Sequence, residues 1–131
     1  MDKSTILKTF NTHFFDFLED VSNAVPENEV LLYAISSFKL IKRMNPTAII
    51  KTWYNNVYSP YKSVVDNGNI AFIYEKDYNS DLSQLSNQEE IMKYIDAIRE
   101  PIKNMSDTNK GHSTKYIQNL SKLSTMYMLS V

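Results

Sequence analysis

Apolar residues return every three or four positions along most of this chain, and that spacing, which lines one side of an α-helix, constrains the fold more than any other feature. In the first segment Leu7, Phe10, Phe14, Phe17, Leu18, Val21 and Val25 fall on one side, with Lys8, Asp16, Glu19 and Asp20 on the other. This predicts an amphipathic helix capped near Ser4 and ended by Pro26. Only two glycines occur in 131 residues, which leaves little material for tight hairpins or phosphate-cradling loops. There is no cysteine, so disulfides, thiolate nucleophiles and cysteine-ligated metals are excluded.

The same reading continues downstream. Glu27 and Glu29 open a second helix that closes on Lys39, Lys42 and Arg43, with charges matching its dipole at both ends. Apolar residues cover most of its circumference, so it is expected to be central. Asn45-Pro46 predicts a restart with Asn as N-cap and Pro in the first turn. Ile49, Ile50, Trp53, Tyr54, Val57 and Tyr58 then form a wide apolar face, which Pro60 breaks or kinks before Tyr61, Val64 and Val65 resume it. Gly68, within Asn67-Gly68-Asn69, supplies a left-handed cap. Residues 70–74 read as either a short strand or helical turns, with helix favoured, and 76–86 as a connection. Ser86 and Glu89 make a capping box. Ile91, Ile95, Ile98, Ile102 and Met105 line the next helix, kinked or ended by Pro101 near Glu100. A polar join over 106–111 leads to a last helix carrying Tyr116, Ile117, Leu120, Leu123, Tyr127 and Met128. The expectation is a single all-α domain over 1–131, with about five main helices plus short helical turns.

The formal net charge is -1 and the pI about 6.1, which removes the argument for a globally basic nucleic-acid binder. The charge is nevertheless segregated into acidic and basic blocks, which either pair within the domain or orient a partner. The basic block Lys39, Lys42, Arg43, Lys51 and Lys62 interleaves with Trp53, Tyr54, Tyr58 and Tyr61. Cations of this kind attract phosphates and rings stack on unpaired bases, which makes nucleic-acid contact an alternative function. The rings share the face that must be buried, so core packing is the first reading. No run of apolar residues is long enough to span a bilayer, no signal peptide is expected, and the cysteine-free chain suits a reducing, intracellular setting.

Candidate chemistry is sparse. His13, Asp16 and Asp20 lie on one helix stripe and resemble a metal set, but without a further ligand they read as a solvated face on which His13 and Asp16 pair. His112 beside Ser113 and Thr114 lacks the orienting acid and oxyanion hole of a serine triad. Glu89 and Glu90 fit a helix N-terminus better than paired acid-base chemistry. No catalytic, cofactor-binding or metal-ligating residue is assigned, and no cofactor is expected. Phe15 lies about 120° from the centre of the first helix's apolar face at about 100° per residue, so Phe15 with Asp16 and Glu19 is the expected contact for a protein partner or a second copy. The competing reading has another element of the monomer, the 78–85 region or the last helix, fold over Phe15.

Phe10-Asn11-Thr12-His13-Phe14-Phe15-Asp16-Phe17-Leu18, the stretch from Asn45-Pro46-Thr47 to Trp53-Tyr54, and the run from Ile98 to Ser106 resemble short helical proteins of large DNA viruses that infect algae and protists. The resemblance spans most of the chain and brings no catalytic residues with it. It implies a viral protein made late and packed in the virion or held in the host cytoplasm. The expected function is that of a small, non-enzymatic interaction protein that works through its surfaces.

Overall fold

In the computed structural model, which describes residues 2–69 and 97–130, the first helix α1 spans Lys3–Ala24. Its cap is Asp2 rather than Ser4. Asp2 Oδ1 accepts from the Thr5 N–H at 2.7 Å, and that backbone hydrogen bond holds the Asp2 carboxyl below its usual range. An ionised acceptor at the positive helix end outcompetes a hydroxyl two residues further on. The helix closes at Val25, beside Pro26.

Helix α2 (Glu29–Met44) is capped by Asn28, whose Oδ1 accepts from the Leu31 N–H at 2.9 Å. Asn45 is extended, as the residue before a proline must be, and so cannot lead directly into a helix. Its side chain instead accepts from the Thr47 N–H (3.3 Å) and the Thr47 hydroxyl (3.0 Å), bridging a turn over Pro46. Helix α3 (Ala48–Thr52) consequently starts two residues later than an Asn45 cap implies.

The break at Pro60 takes a specific form. The backbone widens into a π-helical turn over Trp53–Tyr58, tightens to a 3-10 turn over Ser59–Tyr61, and recovers as α4 (Lys62–Asp66). Pro60 has no N–H to offer the Asn56 carbonyl and its ring would collide there, so the i to i−4 ladder cannot run through. Helix α4 ends in a Schellman motif. The Gly68 N–H donates to the Val65 carbonyl, the Asn69 N–H to the Val64 carbonyl, both at 3.0 Å, and Gly68 takes φ +74°.

Residues 97–103 form α5, which runs through Pro101 instead of stopping at Glu100, and Pro101 is buried within it. The last helix, α6 (Asp107–Leu129), begins where a polar join is expected. Ser106 Oγ accepts from the Asn109 N–H at 3.2 Å and Asp107 sits in the first turn, so capping and charge together outweigh the cost of about 1 kcal/mol for Gly111 in a helix. Among the described residues no strand occurs. Residues 70–74, the 76–86 connection, the Ser86–Glu89 box, the Glu89–Glu90 pair, Ile91 and Ile95 lie outside the described residues.

The core is built on α1 and α6, the most extensive helix pair. Ile6, Phe10, Phe14, Phe17, Leu18 and Val21 from α1 meet Ile117, Leu120 and Tyr127 from α6, with Ile49 and Ile50 of α3, Val65 of α4 and Ile102 of α5 closing the cluster. Full burial of side chains such as Phe10 or Leu18 contributes about 1.5–3 kcal/mol each. Ser113, Ser121 and Ser124 are buried along α6 as well, Ser121 beneath the Trp53 indole and Ser113 beside Met105. Ser124 Oγ donates to the Ser121 carbonyl at 2.8 Å, so its polarity is satisfied within the helix.

Among the described residues helix α2 is at the edge, not the centre as its apolar circumference implies. Only Leu31 and Ala34 are buried, while Ile35, Phe38 and Ile41 are partly covered. The wide apolar circumference divides into an inward arc, which packs on α1 and α3, and an outward arc that remains exposed.

Candidate functional site

Four places hold the residues that composition and spacing single out. The first is the edge of α1 around Phe15. Asp16 and Glu19 are exposed there, whereas Phe15 is half-buried and packed against the core. Its ring meets Phe14 edge-on with centroids 5.4 Å apart, and the Lys42 ammonium lies 5.6 Å from its centroid. α2 thus brings Lys42 over the ring, while the 78–85 region, one of the two elements expected to cover it, lies outside the described residues.

The second is a cleft of about 280 Å³ between α1 and α6, lined by Phe17, Asp20, Val21, His112, Ser113 and Tyr116 along with Met105 and Asn109. The Tyr116 hydroxyl donates to Asp20 Oδ2 at 2.7 Å, and this bond, with lesser contributions from desolvation and nearby Asp16, pushes the Tyr116 pKa up to about 12. A phenol held this firmly neutral is a poor proton carrier near neutrality. His13 stacks at a tilt on Tyr116, with centroids 4.7 Å apart, and its Nε2 is buried without a hydrogen-bond partner. His13 therefore leans toward α6 instead of standing on a solvated face with Asp16. His112 is exposed on α6, with no acid in hydrogen-bond contact among the described residues. Among the described residues, no three His, Cys, Asp or Glu side chains converge as a metal site.

The third is the basic aromatic stretch. Lys39, Lys42, Arg43, Lys51 and Lys62 are all exposed, but Trp53, Tyr58 and Tyr61 between them pack against the core, and half-buried Tyr54 lies beside Tyr58 with ring centroids 6.3 Å apart. Trp53 is half-buried against Phe10 and Phe14, and its indole N–H donates to Ser121 Oγ at 3.0 Å. Tyr58 packs on the core and donates to Asp66 Oδ1 and Oδ2 at 3.1 and 3.2 Å; burial and that bond raise its pKa. Tyr61 also packs on the core. The cations thus lack a flanking platform of open rings from these three residues.

The fourth is the outward arc of α2. Val30 is 49% exposed, Tyr33 57%, Leu40 53% and Met44 78%, and they fall within about 80° of one another on the helix. The single-helix pattern already contained this stripe, but it merged with the inward one into an apparently all-round apolar helix. A further side chain missed in the sequence is Asn11. It is buried on α1, where its Nδ2 donates to the Pro46 carbonyl at 3.1 Å and pins the turn between α2 and α3.

No helix among the described residues is long and apolar enough to cross a membrane. Comparison with known protein families, curated proteins and solved structures finds no match for this chain.

Proposed function

We propose that this chain is a small, non-enzymatic interaction protein that docks through the outward arc of α2. The exposed Val30, Leu40 and Met44 on one side of a four-turn helix carry the proposal, since large apolar groups gathered on a surface mark contact sites more often than scattered ones do. The non-enzymatic part is supported by the Tyr116–Asp20 pair, whose neutral phenol is tied to a carboxylate near neutral pH. In this reading the resemblance of the Phe10–Leu18, Asn45–Tyr54 and Ile98–Ser106 stretches to proteins of large DNA viruses supports a role in assembly, as a structural or virion-associated component within the host cell. Phe15, Asp16 and Glu19 form a smaller, acidic edge with a half-buried ring, secondary to α2 in this reading.

The test is Met44→Glu in the native setting, with the tagged protein recovered from infected cells and from purified particles. The variant should keep its helical circular dichroism and lose both its co-purifying protein and its place in the particle. Retention of both would overturn the reading. The alternative function, an accessory factor on nucleic acid, draws on the five exposed cations from Lys39 to Lys62. It requires binding to single-stranded nucleic acid that weakens steeply with salt, because phosphate contacts release counterions.

A further inference from the structure

Asn67 is the one asparagine in the chain that a glycine follows, since the other glycine, Gly111, comes after Lys110. An Asn-Gly pair is open to attack on itself: the amide nitrogen of the second residue can reach the carboxamide carbon of the first, and glycine, with no Cβ, crowds that approach least. The Asn67 side chain is exposed and makes no hydrogen bond among the described residues, so nothing shields its carboxamide. The backbone, however, opposes the reaction. Ring closure requires the Asn67 Cβ to eclipse the Gly68 nitrogen about the Cα–C bond, and at ψ −6° the Asn67 nitrogen takes that place instead. The Gly68 N–H, which must give up its proton to attack, is committed to the Val65 carbonyl at 3.0 Å, and the Asn69 N–H to the Val64 carbonyl at 3.0 Å. Gln118 of α6 fastens the same turn, its Nε2 donating to the Val65 carbonyl at 3.0 Å and to the Asp66 carbonyl at 3.4 Å.

We infer that Asn67 is a self-modification site gated by the cap of α4: when the cap opens, Asn67 converts through a succinimide to aspartate and isoaspartate. The Gly68 nitrogen bonds to the Asn67 Cγ, the Cγ–Nδ2 bond breaks, and Nδ2 leaves as ammonia with the proton of the Gly68 N–H. Water, the only co-reactant, then adds to one of the two ring carbonyls. Opening at Cγ gives aspartate. Opening at the main-chain carbonyl gives isoaspartate, in which the main chain runs through the former side chain and is one methylene longer. Both products weaken the cap that held the site closed. Each sets a carboxylate beside Asp66 at a helix C-terminus, where the dipole disfavours it, and isoaspartate also shifts the Gly68 and Asn69 donors relative to the Val65 and Val64 acceptors. The conversion therefore runs one way and loosens the join between α4 and α6.

Peptide-mapping mass spectrometry of the full chain, incubated in mildly alkaline buffer with and without urea, tests this. Acid at position 67 should build up at least about tenfold faster in urea than in the folded protein, because only the opened cap reacts. Gln118→Ala should speed the folded-state reaction several-fold and leave the rate in urea unchanged. Ser106→Ala, which removes the cap of α6 but no hydrogen bond to this turn, should speed it less for the same loss of melting temperature. Protein converted in urea and refolded should melt below unconverted protein treated alike. Equal rates with and without urea, no conversion in urea, or a converted protein that melts like the unconverted one overturns the inference. A Gln118→Ala rate no faster than wild type, or no faster than Ser106→Ala at equal melting temperature, overturns it as well, since the α4 cap is then not the gate.

Discussion

Replacing Trp53 by alanine removes a ring wedged against Phe10 and Phe14 together with the donor to Ser121. The expected loss is about 3 kcal/mol, the low end for a large aromatic because the residue is half-buried. Trp53→Phe keeps much of the packing and should lose about 1 kcal/mol through the hydrogen bond. Chemical denaturation separates the two; unchanged stability with lost nucleic-acid binding would reassign the ring to base stacking. Phe15→Ser should lower the melting temperature, since Phe15 packs on Phe14 and under Lys42. Tyr116 makes a pH-dependent contribution. Its folded pKa of about 12 stands above the ordinary tyrosine value near 10, so the folded state holds its proton more tightly. The stabilisation is complete below about pH 10 and is lost as pH rises toward 12. Thermal melts across that window should fall less steeply for Tyr116→Phe than for wild type.

At the level of elements, the two glycines carry opposite expectations. Gly68 has φ +74°, and a Cβ there would meet only ordinary contacts at 3.5 Å from Gln118 and 3.6 Å from Thr114, so the strain is in the backbone. Gly68→Ala should cost about 1 kcal/mol. Gly111 lies within α6 in open space, and Gly111→Ala should stabilise by about 0.5–1 kcal/mol. Ser106→Ala, which removes the cap of the same helix, should cost about 1 kcal/mol. Thermal or urea melts of the three variants check these signs. Much of this scale was legible in the sequence. Pro26, Pro60 and Gly68 act where their covalent chemistry says they must, and the Phe10, Phe14, Phe17, Val21 face is the one buried. The rest is hidden by competing local signals: Gly111 obscures the Ser106 cap, and Asn45 reads as a helix cap although the proline after it forces the backbone out of helical geometry.

For the whole molecule, periodicity reports which residues of a helix are apolar but not how many neighbours that helix has. α1 and α2 both look broadly apolar, yet among the described residues α1 packs on α6, α3 and α2, while α2 buries only Leu31 and Ala34 fully. The buried serines of α6 were illegible for the same reason, because a small polar residue becomes interior only where another helix comes close. The candidate interaction surface followed from this asymmetry, not from any motif. A related prediction concerns charge: if the exposed cations from Lys39 to Lys62 serve protein docking, raising salt should weaken partner binding only modestly, whereas phosphate contacts would give a steep logarithmic dependence. Binding titrations at several ionic strengths distinguish them.

The pairing of α1 with α6 also sets a timetable for synthesis. The hydrogen bond between Tyr116 and Asp20 joins residues 96 apart in sequence, and the stacked Phe17 and Tyr116 rings beside it are similarly far apart. At about 5–20 residues per second, a ribosome needs roughly 5–20 s to make the second partner after the first. Throughout that interval Phe10, Phe14, Phe17 and Leu18 have no α6 to cover them. A nascent chain of this protein should therefore occupy holdase chaperones until release, and pulse-chase proteolysis should find protection of α1 arriving only after α6 has left the exit tunnel.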